Sequence, residues 1–151
     1  MRVLLKILTH IPLPILYALG TLLYFVVYHI ARWRRDYADA DVARAFPEKS
    51  PKERAAIVRG CYRNLADVVV EACWSFGASR EAIRARVHFA DRELIERAIA
   101  RNQTILLLAA HQGNWEWLLL GAVVSFPIPI DVVYQPQRLA ALDEFLREVR
   151  C

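Results

Sequence analysis

The alternation of apolar and polar positions changes character several times along this chain, and each change marks a different kind of element. From Ile7 to Ile30 no Asp, Glu, Lys or Arg interrupts the sequence, a run longer than the roughly 20 residues that cross a hydrocarbon core. Pro12 and Pro14 place the helix start near Leu13, because proline is tolerated in a first turn and not in a helix interior. From Leu13 to Ile30 the length is marginal for a crossing, so a full span and a deep monotopic anchor both fit. Arg32, Trp33, Arg34 and Arg35 close the run as a stop and an interfacial anchor, and no small-x-small cleavage site follows, which argues against a signal peptide. A short helix is expected from Asp36 to Phe46, ended by Pro47. Ser50, Pro51 and Glu53 then form a capping box with proline at the first helical position. Val58, Cys61, Tyr62, Leu65, Val68, Val69, Ala72, Cys73 and Phe76 recur at helical period up to Gly77, a candidate C′ residue. Such a stripe along one long amphipathic helix reads as core packing, with a membrane-lying role as the alternative.

Beyond Gly77 the periods shorten. Ser79 can cap a helix to Arg86, Val87 to Phe89 reads as a brief strand, and Asp91 can cap a helix through Leu94, Ile95, Ala98 and Ile99 that ends at Asn102. Ile105 to Ala110 is short, unbroken and rich in branched residues, the pattern of a strand buried on both faces as in a parallel sheet. A polar corner, His111-Gln112-Gly113-Asn114, separates it from an apolar helix running from Trp115 to Phe126. Pro127 and Pro129 force a turn, Asp131 to Tyr134 reads as the next parallel strand, and the whole is expected to form a right-handed βαβ unit. Leu139 to Val149 is expected to be helical. The fold class is therefore expected to be α/β: an N-terminal membrane helix, long amphipathic helices and a βαβ parallel-sheet core.

Composition sharpens this picture in two places. The chain of 151 residues is 56% hydrophobic with a mean hydropathy of +0.22, and much of the excess lies near the N-terminus. The formal charge is +4, and between Arg32 and Arg63 nine Lys or Arg stand against five Asp or Glu. A basic excess beside an apolar segment favours an anionic membrane surface over nucleic acid; an acidic carrier protein could use the same charge. Cys61, Cys73 and Cys151 are isolated thiols without C-x-x-C spacing or clustered histidines, so they are expected to be reduced, and no metal site is expected. Gly-rich phosphate loops are absent, and no cofactor is expected.

The chemistry concentrates at the polar corner. Asn114 is a candidate N-cap, with Glu116 in the first helical turn where a carboxylate is favoured. His111 and Glu116 would lie about 140° apart on a continuous helix, but a turn between them lets both face one crevice. A hydrogen bond from the carboxylate to one ring nitrogen would then fix the tautomer and leave the other nitrogen as a base, suited to removing a proton from a hydroxyl that attacks a carbonyl. Backbone N–H groups at the start of the following helix could serve a developing oxyanion. His10 and His29, at the edges of the apolar run, read as interfacial, and His88 as structural. Trp115 and Trp117 fit either a core or an acyl-chain pocket.

HQGNWEW after an apolar segment, with ADVARAFPEKS (40–50) and YRNLADVVVEACW (62–74) upstream and DVVYQP (131–136) downstream, resembles the bacterial lipid A late acyltransferases, the lauroyl/myristoyl acyltransferase family. The likeness runs through essentially the whole chain, which corresponds to the N-terminal half of such an enzyme, so the sheet core is expected to be incomplete. It implies an anchor over residues 1–35 and the N-terminal part of an acyltransferase domain over 36–151. It further implies transfer of a fatty acyl group from acyl-acyl carrier protein to a hydroxyl of a lipid A precursor at the cytoplasmic side of the inner membrane, with His111 as base and Glu116 as its partner. A lysophospholipid or glycerolipid acceptor, and a truncated non-catalytic membrane-anchored remnant, are the competing expectations. Where the family often places Arg in its VVY-R-P element this chain has Gln135, with Arg138 a candidate replacement for the charge.

Overall fold

The computed structural model of the chain describes residues 10–136, 143 and 144. These fall in two compact units, one of residues 11–74 and one of His10 with the described residues from Ser75 onward.

The first unit is built on three helices: α1 (Leu13–Phe25), α2 (Arg35–Ala45) and α3 (Pro51–Ser75). Helix α1 begins where the prolines place it, with Pro12 at the N-cap and its carbonyl accepting from the Ile15 and Leu16 N–H groups at 3.0 and 3.2 Å. It continues without a break into a wider π-helical stretch, Val26–Ile30, closed by the Ala31 N–H donating to Val26 O at 2.8 Å. The chain then reverses through Arg32 and Arg34, both left-handed with φ of 49° and 53°. Such a conformation costs a side-chain-bearing residue about 1–2 kcal/mol, and neighbouring contacts hold the turn. The Tyr62 hydroxyl donates to Trp33 O at 2.5 Å, and the Arg35 guanidinium lies 4.5 Å from the Tyr28 ring centroid.

Helix α3 starts on a complete capping box. Glu53 Oε2 accepts from the Ser50 N–H at 2.8 Å and from the Ser50 hydroxyl at 2.6 Å, while the Glu53 N–H reaches Ser50 Oγ at 3.4 Å. These Ser50 hydrogen bonds hold the Glu53 carboxyl below its ordinary pKa. Helices α1 and α3 lie antiparallel: Tyr17 donates to Glu71, Gly20 sits against Ala66 and Val70, and the Arg63 guanidinium covers the Tyr24 ring. Their shared core is Tyr24, Tyr28, Val58, Tyr62 and Ala66, with Leu23, Val27, Ala38 and Val42 packed around it. Only part of the α3 stripe read from the sequence is buried. Val58, Tyr62 and Val68 are inside, joined by Ala66 and Val70 from outside the stripe, whereas Cys61, Leu65 and Val69 are exposed.

The second unit contains α4 (Arg80–Arg84), α5 (Arg92–Ala100) and α6 (Trp115–Ser125). Ser79 caps α4, its hydroxyl accepting from the Ala82 N–H at 3.1 Å. Asp91 stands at the N-cap of α5 but without a side-chain cap bond, and Gly77 follows the end of α3 by two residues but is not left-handed. Helices α4 and α6 pack together, burying Ile83, Ala122 and Val124, and the Phe89 and Phe126 rings meet at 5.1 Å.

The α/β expectation is overturned. Among the described residues there is no strand and no sheet; the architecture is helical. Residues 105–110 and 131–136 have no regular structure, and Leu106, Leu108 and Val133 are 83%, 84% and 104% exposed, the opposite of a strand buried on both faces. A run of branched apolar residues records a preference for burial, but a strand exists only when a second backbone completes its ladder, and none among the described residues does so. Val87 to Phe89 is likewise no strand, and Val87 serves instead as a packing residue against α6. The helix expected over Leu139–Val149 lies outside the described residues except for Asp143 and Glu144, which are helical; Arg138 and Cys151 lie outside them as well.

Candidate active site

The corner before α6 is assembled by local signals. Gly113 takes φ of +61°, a left-handed turn natural to glycine, and Asn114 follows in an extended conformation as the N-cap of α6. Its Oδ1 accepts from the Trp117 N–H at 2.9 Å, and its carbonyl accepts from the Leu118 N–H at 3.2 Å. His111 sits in the bend ahead of Gly113, exposed, and its ring tilts against the Trp115 indole with centroids 4.7 Å apart. Glu116 is the second residue of α6 and is half-buried. No hydrogen bond joins His111 to Glu116 among the described residues. The turn thus gathers a histidine, an aromatic wall and a carboxylate within six consecutive positions.

The far end of α6 is held by residues that sequence reasoning missed. Arg80, Arg84 and Arg92 donate to the carbonyls of Val123, Val124 and Ser125, at 3.5 Å for Arg80 and 3.1 Å for Arg92. Those oxygens belong to the last turn, where a helix lacks its own donors and carries partial negative charge. Cations supplied by α4 and by the start of α5 therefore anchor the helix whose other end carries Glu116. Nothing in the spacing of Arg80, Arg84 and Arg92 advertises this, because their targets lie 33 to 43 residues away.

One expectation is weakened by the same geometry. The Trp117 N–H is already committed to Asn114 Oδ1, so one of the N–H groups at the start of α6 is not available to a developing oxyanion. Cys61 is free and exposed, and burial pushes the free Cys73 thiol above its ordinary pKa, away from the thiolate that attacks. Among the described residues no three His, Cys, Asp or Glu side chains gather as a metal site would require.

The model of the bacterial lipid A biosynthesis acyltransferase family matches residues 2–151. The chain belongs to that family. Searches of curated proteins and of solved structures return no match. For a lipid A acyltransferase, the turn before α6 holds the side chains best suited to moving a proton: an accessible imidazole and a nearby carboxylate. The basic and aromatic residues from Arg32 to Tyr37 lie beside the one described helical segment long and apolar enough to cross a membrane, Leu13–Ile30.

Proposed function

We propose that this family member transfers a fatty acyl group from acyl-acyl carrier protein to a hydroxyl of a lipid A precursor, with His111 as general base and Glu116 as the acid that orients it. The imidazole takes the proton of the acceptor hydroxyl as its oxygen attacks the thioester carbonyl. Collapse of the tetrahedral intermediate breaks the carbon–sulfur bond, and the carrier thiolate leaves with the proton held by the imidazolium. The products are an ester and a free thiol. No metal or cofactor enters these steps. Membership of the lipid A acyltransferase family carries this reading; the exposure of His111 and the placement of Glu116 just inside the cap of α6 support the assignment of roles. This reading sets the reaction at the inner membrane with the catalytic part on the cytoplasmic side; the apolar N-terminal segment and the arginines that follow it support it.

Acyl transfer from acyl carrier protein, measured on the purified protein with a lipid A precursor and in parallel with a lysophospholipid acceptor, tests it. Transfer is expected to the lipid A precursor, and His111→Ala and Glu116→Ala are each expected to lower it by roughly 10²–10⁴-fold. Undiminished transfer by both variants overturns the roles, and transfer to the lysophospholipid alone overturns the acceptor.

A further inference from the structure

The sequence leaves open whether the apolar segment crosses the membrane, and the company that α1 keeps answers the question. Along one side α1 is covered by α3, from Tyr17 against Glu71 to Tyr28 against Tyr62. Over that length α3 carries Arg63, Asp67 and Glu71. Arg63 lies over Tyr24, well inside the apolar segment and not at its end. Asp67 is partly desolvated where it stands: burial, and then the neighbouring Glu71 carboxylate, raise its pKa. Were Leu13–Ile30 threaded through a bilayer, α3 would be carried into the hydrocarbon with it, and these ionisable groups would face lipid with only one apolar helix for shelter.

The other side of α1 is apolar and open. Ile15, Leu22, Phe25 and Ile30 are 55%, 60%, 51% and 67% exposed, and no charged residue lies between Leu13 and Ile30. At its C-terminal end the chain turns through Arg32, Arg34 and Arg35, with Trp33 and Tyr37 exposed beside them, a composition that matches anionic headgroups and the level at which aromatic rings settle. We infer that residues 11–74 form an in-plane anchor: α1 lies in one leaflet of an anionic bilayer with its open face toward the acyl chains, and α3 rides above it on the aqueous side. The two ends of the apolar segment then emerge on the same side. This rests on the membrane association in the proposed function and not on the assignment of His111 or Glu116.

The test uses the full chain with Cys61, Cys73 and Cys151 replaced by Ala, in vesicles of phosphatidylethanolamine and phosphatidylglycerol. Nitroxides placed by Ile15→Cys, Leu22→Cys and Ile30→Cys, all at exposed positions, report depth through their relative accessibility to oxygen and to a water-soluble nickel complex. A flat profile is expected; a pronounced maximum at Leu22 overturns the inference. In addition, Ile11→Cys and Asp36→Cys are expected to react with a membrane-impermeant maleimide from the same side, and reaction from opposite sides, or failure of the protein to float with the vesicles, also overturns it. Acyl transfer assayed in detergent on the same preparations reads the catalytic proposal separately, since activity there does not depend on which way α1 lies.

Discussion

Gly121 offers the sharpest test of how α6 is seated. A β-carbon built there would meet the Val87 Cγ1 methyl first, and would fall 2.6 Å from Val87 Cβ and 3.0 Å from the other methyl group, against the 3.5–4.0 Å of ordinary carbon contacts. Val87 is not the loose end of a flexible side chain: its N–H donates to Ile83 O at 3.1 Å, so its β-carbon moves aside only if that backbone moves with it. Gly121→Ala gains up to about 1 kcal/mol of helix propensity, but forcing the elements apart costs about 1–3 kcal/mol. The expected balance is a loss of about 1–2 kcal/mol, or roughly 2–8 °C in Tm for a chain of this size, read by circular dichroism in detergent. A double-mutant cycle isolates the cause. Val87→Ala removes the methyl group that makes the worst contact but keeps the β-carbon at 2.6 Å, so it should rescue Gly121→Ala only in part, whereas Val87→Gly should couple more strongly and favourably. A neutral or stabilising Gly121→Ala, or equal rescue by alanine and glycine at 87, would refute the reasoning.

Arg32, left-handed at φ 49° and exposed, should gain stability on substitution by glycine, by about 1 kcal/mol, and lose at least as much on substitution by valine, measured by urea titration in detergent. The Ser50–Glu53 box predicts a sign in acid: because hydrogen bonds lower the folded-state pKa of Glu53, its contribution is complete above the unfolded value of about 4.3 and is lost as pH falls through the folded one. Ser50→Ala should therefore flatten the acid limb of a Tm–pH profile, and an unchanged limb would count against the cap. Leu22→Asn should weaken binding to anionic vesicles by about tenfold while leaving the melt in detergent unchanged, because the side chain is exposed; a lowered melt with unaltered binding would place Leu22 in a protein contact instead.

What could be read from the sequence was what a few adjacent residues decide among themselves. Pro12 before α1, the Ser50–Glu53 pair, Ser79 and Asn114 all act within four positions of the groups they satisfy, and each stands where its chemistry put it. The polar corner from His111 to Asn114 was legible for the same reason. The parallel sheet was not, because Ile105–Ala110 has the composition of a strand while strand formation is decided by a partner elsewhere in the chain. The face of α3 was half legible: a period of 3.6 locates a stripe, but Tyr24 and Tyr28 of the neighbouring segment take Val58 and Tyr62 from it, add Ala66, and leave Leu65 outside. The arginines at the end of α6 and the Gly121–Val87 approach were invisible, since both join residues more than 30 positions apart.

Energies separate the two placements of α1 more firmly than hydropathy does. Taken alone, Leu13–Ile30 is 18 residues with a mean hydropathy of 1.7, about 27 Å of helix, and passes as a span of the roughly 30 Å core. Its packing changes the balance. Charged residues at the centre of a membrane helix each cost about 2.5–3.5 kcal/mol on insertion scales, so Arg63 and Asp67, beside the middle of the segment, together oppose a crossing by about 5–7 kcal/mol before any relief by snorkelling. Detaching α3 to avoid that cost would expose the buried Val58, Tyr62 and Ala66 and forfeit the Tyr17–Glu71 and Tyr62–Trp33 hydrogen bonds. Lying in the plane avoids both penalties: the open face of α1 leaves water, the charges of α3 remain hydrated, and the packed pair stays intact.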